Sequence, residues 1–299
     1  MSRITERILH RLGTPQLVEQ LAELSGSDLT SLLLAVQRRR AAQITPADVL
    51  RTYGANRFCA AAQAEPAEYC RLEAALLTLA KEQGMETVLL SPCAPFGSCS
   101  TFGCVDQNNV LTALRGTEML ADPSNVLALR VAQRIRQEDG GTLRCAACAR
   151  VVRGQAFDGE GYLPHFGLFC AVSGGGSGED WAAAELKKHL SFYCAALRRQ
   201  EGITVLVQQR QGGAGERAIF QTAETLVREA FPQASVETEE NRTGSRYYRG
   251  LSFKIFLERQ GERFEVADGG FTDWMEQLLE RKNSPCLISG MGLDRLKMI

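Results

Sequence analysis

Two runs rich in β-branched and aromatic residues, Tyr247 to Leu257 and Arg263 to Ala267, flank Gln260-Gly261-Glu262 and read as a β-hairpin. Such a pair limits the fold more than any other stretch, because the remaining strand-like segments must extend or pack against its sheet. Thr142 to Arg153 and His165 to Val172 read as a second antiparallel pair with a long connection, and Ile203 to Gln208 and Cys286 to Ser289 as further strands. Between them lie helical patterns: Pro66 to Glu82 with Tyr69, Leu72, Leu76 and Leu79 on one face, Val126 to Arg136, Asp180 to Leu197, Glu224 to Phe231, Asp273 to Arg281, and a terminal one from Gly292. The expected class is α+β, an antiparallel sheet flanked by helices on one side.

Ahead of this core, residues 1–60 read as a small helical extension. Leu17, Leu21 and Leu24, then Leu29, Leu32, Leu33 and Val36, have helical spacing, with Ser27 or Asp28 as N-cap. Arg38-Arg39-Arg40 suits a helix C-terminus, where cations meet the dipole, and Thr45-Pro46 starts another helix. The domain expectation is thus an extension over 1–60 and a core over 61–299.

The 34 basic and 35 acidic side chains nearly cancel, so no global field draws the chain to DNA or RNA. No apolar run is long enough to span a bilayer and no leader is expected, so the chain is read as cytoplasmic. The ten cysteines form no disulfide framework and fit a reducing compartment. Cys145 and Cys148 have metal or redox spacing. They nevertheless sit on one strand, where residues three apart face opposite ways, so no metal site is expected and two buried thiols are the simpler reading.

Three C-terminal segments carry a resemblance. Arg246-Tyr-Tyr-Arg-Gly-Leu-Ser-Phe-Lys-Ile255, Ala267-Asp-Gly-Gly-Phe-Thr-Asp273 and Ser289-Gly-Met-Gly-Leu-Asp-Arg-Leu296 resemble, in order and spacing, the tyrosine-pair strand, glycine-rich turn and GxGxxR motif 3 of histidyl-tRNA synthetases, class II enzymes. Upstream, Ala149-Arg-Val-Val-Arg153 through Gly159-Glu-Gly-Tyr162 to His165-Phe-Gly167 is similar to class II motif 2. Ala121 to Arg130 resembles the segment entering the amino-acid pocket, and Lys81 to Val88 the dimer-forming motif 1. The likeness spans Pro66 to Ile299.

The resemblance implies a nucleotide site in which Arg153 lies against an α-phosphate and Arg295 reaches the terminal phosphates, with Gln155, Gly290 and Gly292 beside them. It implies ATP, with Mg2+, as cofactor. It also implies a substrate pocket of Arg130, Tyr247, Tyr248, Gly269 and Gly270, and a homodimer through motif 1. For one of the two adjacent tyrosines, packing in the sheet is an equal reading, and His165 reads more simply as structural.

The pattern also departs from the family. Leu129-Arg130 is followed by Val131 and Ala132, not by the Pro and Glu whose carboxylate receives the substrate ammonium. The motif 2 acid is Gln155, a loop position expected to be basic is Glu160, and the Arg-Gly-Leu-Asp lead-in to the tyrosines reads Thr243-Gly-Ser-Arg246, with Arg242 the nearest preceding arginine. No anticodon-binding domain is expected after Arg295. The leading expectation is therefore a non-charging paralogue that binds a nucleotide or amino-acid-like ligand and regulates or partners another enzyme, as the regulatory subunit of ATP phosphoribosyltransferase does in histidine biosynthesis. The alternatives are an adenylate-forming enzyme for another carboxylate, with Asp268 or Asp273 assisting magnesium, and a tRNA-binding module, which the sequence does not favour.

Overall fold

A computed structural model describes residues 1–138, 141–155, 164–210, 214–242 and 247–298; the side chains of 214–218, 241–242 and 297–298 are outside that description. The chain begins with helices α1 (Arg3–Leu12), α2 (Leu17–Ala22), α3 (Gly26–Ala41) and α4 (Pro46–Ala55). Their ends follow local chemistry. Thr45 and Asp48 form a capping box with Pro46 at the first turn of α4. The N-cap of α3 lies two to three residues earlier than its leucines suggest, because Ser25, rather than Ser27 or Asp28, accepts from the Asp28 amide. Across α1–α4 only Leu9 is buried, and Ile4, Leu12, Val36, Val49 and Leu50 are among the exposed apolar side chains.

The core then runs α5 (Pro66–Glu82), β1 (Glu86–Thr87), β2 (Cys93–Pro95), α6 (Ser98–Thr101), β3 (Thr117–Met119), α7 (Pro123–Gln137), β4 (Leu143–Val152), β5 (His165–Gly174), α8 (Gly178–Ala196), β6 (Ile203–Arg210), α9 (Ala214–Ala230), β7 (Ser235–Arg242), β8 (Arg249–Arg259), β9 (Glu262–Thr272), α10 (Trp274–Leu279), β10 (Cys286–Gly292) and α11 (Leu293–Met298). Among the described residues, eight strands form one sheet in the order β1-β4-β5-β10-β9-β8-β6-β7, and β2 pairs with β3 apart from it. The interior is antiparallel, as the hairpin requires. Both edges differ: β1 on β4 and β7 on β6 are parallel pairs, so the expected antiparallel sheet is a mixed one.

Helices cover both faces rather than one, and strand alternation shows why. Ala146, Phe169 and Ala171 point to a core with α5, α8 and α9, whereas Cys145, Ala147, Cys170 and Val172 point to Leu127, Ala128 and Val131 of α7 and Trp274 of α10. Apolar residues on both sides of β4 and β5 require two apolar coverings. Cys145 and Cys148 fall on opposite faces, and every cysteine is a free thiol.

Two buried polar arrangements tie α8 to the sheet. Glu185, 1% exposed, receives two hydrogen bonds from Arg144, Nε to Oε2 at 2.7 Å and Nη2 to Oε1 at 2.5 Å. One turn on, the buried His189 ring bridges two hydroxyls, Nε2 to Ser173 Oγ at 2.9 Å and Nδ1 to Ser289 Oγ at 2.8 Å, across the β5–β10 pair. Burial lowers the imidazole pKa to about 4, so the ring is neutral and each nitrogen needs one of those partners.

Candidate ligand cleft

A cleft of about 900 Å3 opens over the centre of the sheet, on the face that carries Cys170 and Ile288, within the usual size range for small-molecule sites. Arg153 enters it just beyond the end of β4 and Arg295 enters from α11, next to Gly290 and Gly292 of β10; Gln155 and the two tyrosines line it as well. Residues widely separated in sequence thus meet because β5 and β10 are neighbours, with Leu168 paired to Gly292 and Cys170 to Gly290.

The two guanidinium groups already have protein partners. Arg153 donates from Nε to the Ala121 carbonyl at 2.9 Å, its Nη2 lies 3.8 Å from Asp122 Oδ2, and its carbon centre is 5.2 Å from the Phe166 ring. Arg295, exposed at the rim, donates from Nη1 to the Glu265 carbonyl at 2.9 Å. Carboxylates outnumber them: Glu65, Glu68, Asp122, Glu265, Asp268 and Asp294 also line the cleft, so its walls favour a ligand that carries positive charge at some point.

The floor pairs each tyrosine with an acid. Tyr248 donates to Asp268 Oδ2 at 2.7 Å and Tyr247 to Asp122 Oδ2 at 3.3 Å, while the Tyr247 ring packs edge-on against Trp274. Burial raises the Asp268 carboxyl to about 6, against the lowering effect of the Tyr248 hydrogen bond. Burial also holds both phenols well above their usual range.

Gly270, expected at the substrate, instead makes room for this floor, and Gly269, expected there too, faces the opposite core at Phe253. A Cβ at Gly270 would lie 2.7 Å from Tyr248 Cδ1 and 2.8 Å from the Leu251 carbonyl, and one at Gly269 would lie 2.6 Å from Phe253 Cζ. Gly270→Ala is expected to cost about 1–3 kcal/mol through overpacking and to push Tyr248 off Asp268. Thermal unfolding tests this, and an unchanged melting temperature would show that the strand yields freely.

Arg130 does not reach the cleft. It lies on α7 and donates from Nη2 to Glu86 Oε1 at 2.5 Å, alongside Arg134. The helix begins at Pro123, with Asp122 as N-cap accepting from the Ser124 amide at 3.0 Å, so position 130 is nearly two turns into α7 and faces β1. Asp122 and Ser124 occupy the pocket entrance in place of Leu129-Arg130. Asp273 is also elsewhere, ion-paired with Arg249. The loop with Gly159, Glu160 and Tyr162, the Thr243–Arg246 lead-in and the Arg242 side chain lie outside the described residues.

The outer wall comes from the segment before α5. Ala62 to Glu65 line the cleft, and the Ala60 carbonyl accepts from His165 Nε2 at 2.6 Å, the tautomer set by Arg150 Nε donating to Nδ1 at 3.1 Å. A third wall, with Cys99 and Asn109, is held by the fully buried Glu118, which accepts from the Gly97 and Cys99 amides and from Gln107. Among the described residues no group of three or more His, Cys, Asp or Glu could hold a metal ion.

No family profile matches the sequence, and no curated protein does. Solved structures do match its fold. An ATP phosphoribosyltransferase regulatory subunit/histidyl-tRNA synthetase from Bacillus halodurans superposes with a TM-score of 0.58 at 13% identity, covering 77% of this chain and 79% of that one. The fold is that of the class II aminoacyl-tRNA synthetase core. The apo histidyl-tRNA synthetase of S. aureus gives 0.59 at 10% identity, this chain spanning 65% of that enzyme's length. A histidine–tRNA ligase subunit from Alicyclobacillus acidocaldarius gives 0.56 at 12% over 79% of this chain and 94% of that one. On this class II core, the cleft lies over the central strands. Among the described residues no helix is long and apolar enough to cross a membrane.

Proposed function

We propose that the chain is a non-charging paralogue built on the histidyl-like core, which binds a nucleotide or amino-acid-like ligand in this cleft and acts by regulating or partnering another enzyme. The observation that supports it most is the meeting of Arg153 and Arg295 in one cleft of ligand size, each turned toward the protein's own oxygens and ringed by carboxylates. An arginine already holding Ala121 and Asp122 is poorly arranged to stabilise charge developing on a reacting phosphate, which favours binding over chemistry. If ATP is the ligand, Arg153, Gln155, Gly290, Gly292 and Arg295 would hold it. A homodimer through residues 81–88 and a partner enzyme, as the name of the Bacillus halodurans protein suggests, belong to the same proposal.

The alternative is an adenylate-forming enzyme, favoured by the same two arginines. Calorimetric titration with ATP and magnesium, paired with pyrophosphate exchange over an amino-acid panel, separates them. Binding without exchange is expected, and Arg153→Ala should weaken ATP at least tenfold; exchange with any amino acid would replace the regulatory reading by the catalytic one.

A further inference from the structure

One row of side chains crosses the sheet under the cleft. Lys254 on β8, Asp268 on β9, Gly290 on β10 and Cys170 on β5 are register partners and share a face. Lys254 is turned away to Glu265, Nζ to Oε2 at 2.5 Å. Gly290 has no side chain, and a Cβ built there would meet nothing closer than Cys170 Sγ at 3.4 Å. The row therefore has a gap beside Asp268, open to the cleft.

Asp268 faces that gap only partly satisfied. Its Oδ2 accepts from Tyr248, and among the described residues no hydrogen bond or ion pair reaches Oδ1. Half-buried in the cleft wall, the carboxylate leaves Oδ1 open to the cleft, where a cationic donor is its strongest partner.

Resting on the ligand-binding reading above, we propose that the inner end of the cleft is a receptor for a protonated amine, which sits over Gly290 with its nitrogen on Asp268 Oδ1. The arginines that line the same cleft then take whatever anionic group the ligand carries. The amine is specified by Asp268, a residue set at mid-strand by the β9–β10 register and not by the segment that holds Asp122 and Ser124.

Titratable groups facing Asp268 come from each neighbouring element: Tyr247 and Tyr248 before β8, Lys254 on β8, Glu265 on β9, Asp122 before α7 and Cys170 on β5. The tyrosines and the thiol are kept neutral by burial. Lys254 and Glu265 pair with each other, and Asp122 lies by Arg153. Asp268, raised to about 6, is left to control amine binding through mildly acid pH.

Calorimetric titration of the full chain with histamine, tyramine and agmatine, beside imidazolepropionate and 4-hydroxyphenylpropionate as acids lacking the amine, tests the assignment. At least one amine should bind at pH 8 and no acid more tightly; binding should weaken about tenfold at pH 5, following the fraction of Asp268 ionised. Asp268→Asn keeps the Tyr248 hydrogen bond and should lower amine affinity at least tenfold while leaving ATP affinity within twofold. Gly290→Val, which fills the gap without touching the carboxylate, should also lower amine affinity at least tenfold. Amine affinity unchanged in Asp268→Asn, or tighter binding of the acids, overturns the receptor. Silence of every amine toward the wild type overturns it too; if ATP is bound in that case, the proposed function survives, and if ATP also fails, both readings fall.

Discussion

Arg144→Ala is expected to destabilise the fold by about 3–5 kcal/mol, the usual cost of leaving one member of a buried ion pair alone. Glu185 is 1% exposed and both its oxygens are held by one guanidinium, and among the described residues no second side chain donates to it. Urea unfolding of the variant measures the loss. Replacing both partners, Arg144→Met with Glu185→Leu, should recover most of it, because the desolvation cost of the pair disappears with its charges. A single variant that loses under about 1 kcal/mol would mean that water reaches Glu185 once the arginine is gone.

The second large effect is in pH dependence. Asp268 has a folded pKa near 6, above its ordinary 3.8, so the folded state binds the extra proton and stability falls as pH rises between those values. His189 has a folded pKa near 4, below its ordinary 6.5; here the unfolded state binds the extra proton, and stability falls as pH drops through the same interval. Each contribution is about 3 kcal/mol at most, and the two oppose each other. Asp268→Asn should therefore stabilise the protein at pH 8 and expose a steep loss of stability from pH 6.5 down to pH 4 that is muted in the wild type. Urea midpoints at half-unit steps of pH decide it, and parallel wild-type and variant profiles would rule out the opposing pair.

The sequence made legible what rests on local pattern. The β8–β9 hairpin, the β4–β5 pair and the capping box at Thr45 follow from turn residues, alternation and capping chemistry that a few neighbours dictate. The two parallel edges were hidden for physical reasons. Strand β1 is two residues long, and β7, Ser-Val-Glu-Thr-Glu-Glu-Asn-Arg, lies at the sheet edge with too little apolar alternation to announce itself. Helix α9 was expected as a turn or two from Glu224 but begins at Ala214.

The placement of Arg130 failed through register. The apolar run from Val126 masks the true start, whereas Asp122-Pro123 is an N-cap and first-turn pair that could have located it. The meeting of Arg153 and Arg295 was anticipated from motif order. The carboxylates around them were not, apart from Asp268 as a magnesium helper, because Glu265 and Asp268 of β9 meet Asp122, the N-cap of α7, only through tertiary packing that no local pattern encodes.

The neighbouring positions of β5 and β10 also bear on how the protein comes into being. The pairing of Leu168 with Gly292 closes one of the longest loops in the chain, and the cleft draws on residues from Ala62 to Arg295. During synthesis the helices and local hairpins can form as they emerge, but the central seam must wait until β10 has left the ribosome. Until then the apolar flanks of β5 and β9 lack their cover, and ligand capture waits for β10 and α11 to join them.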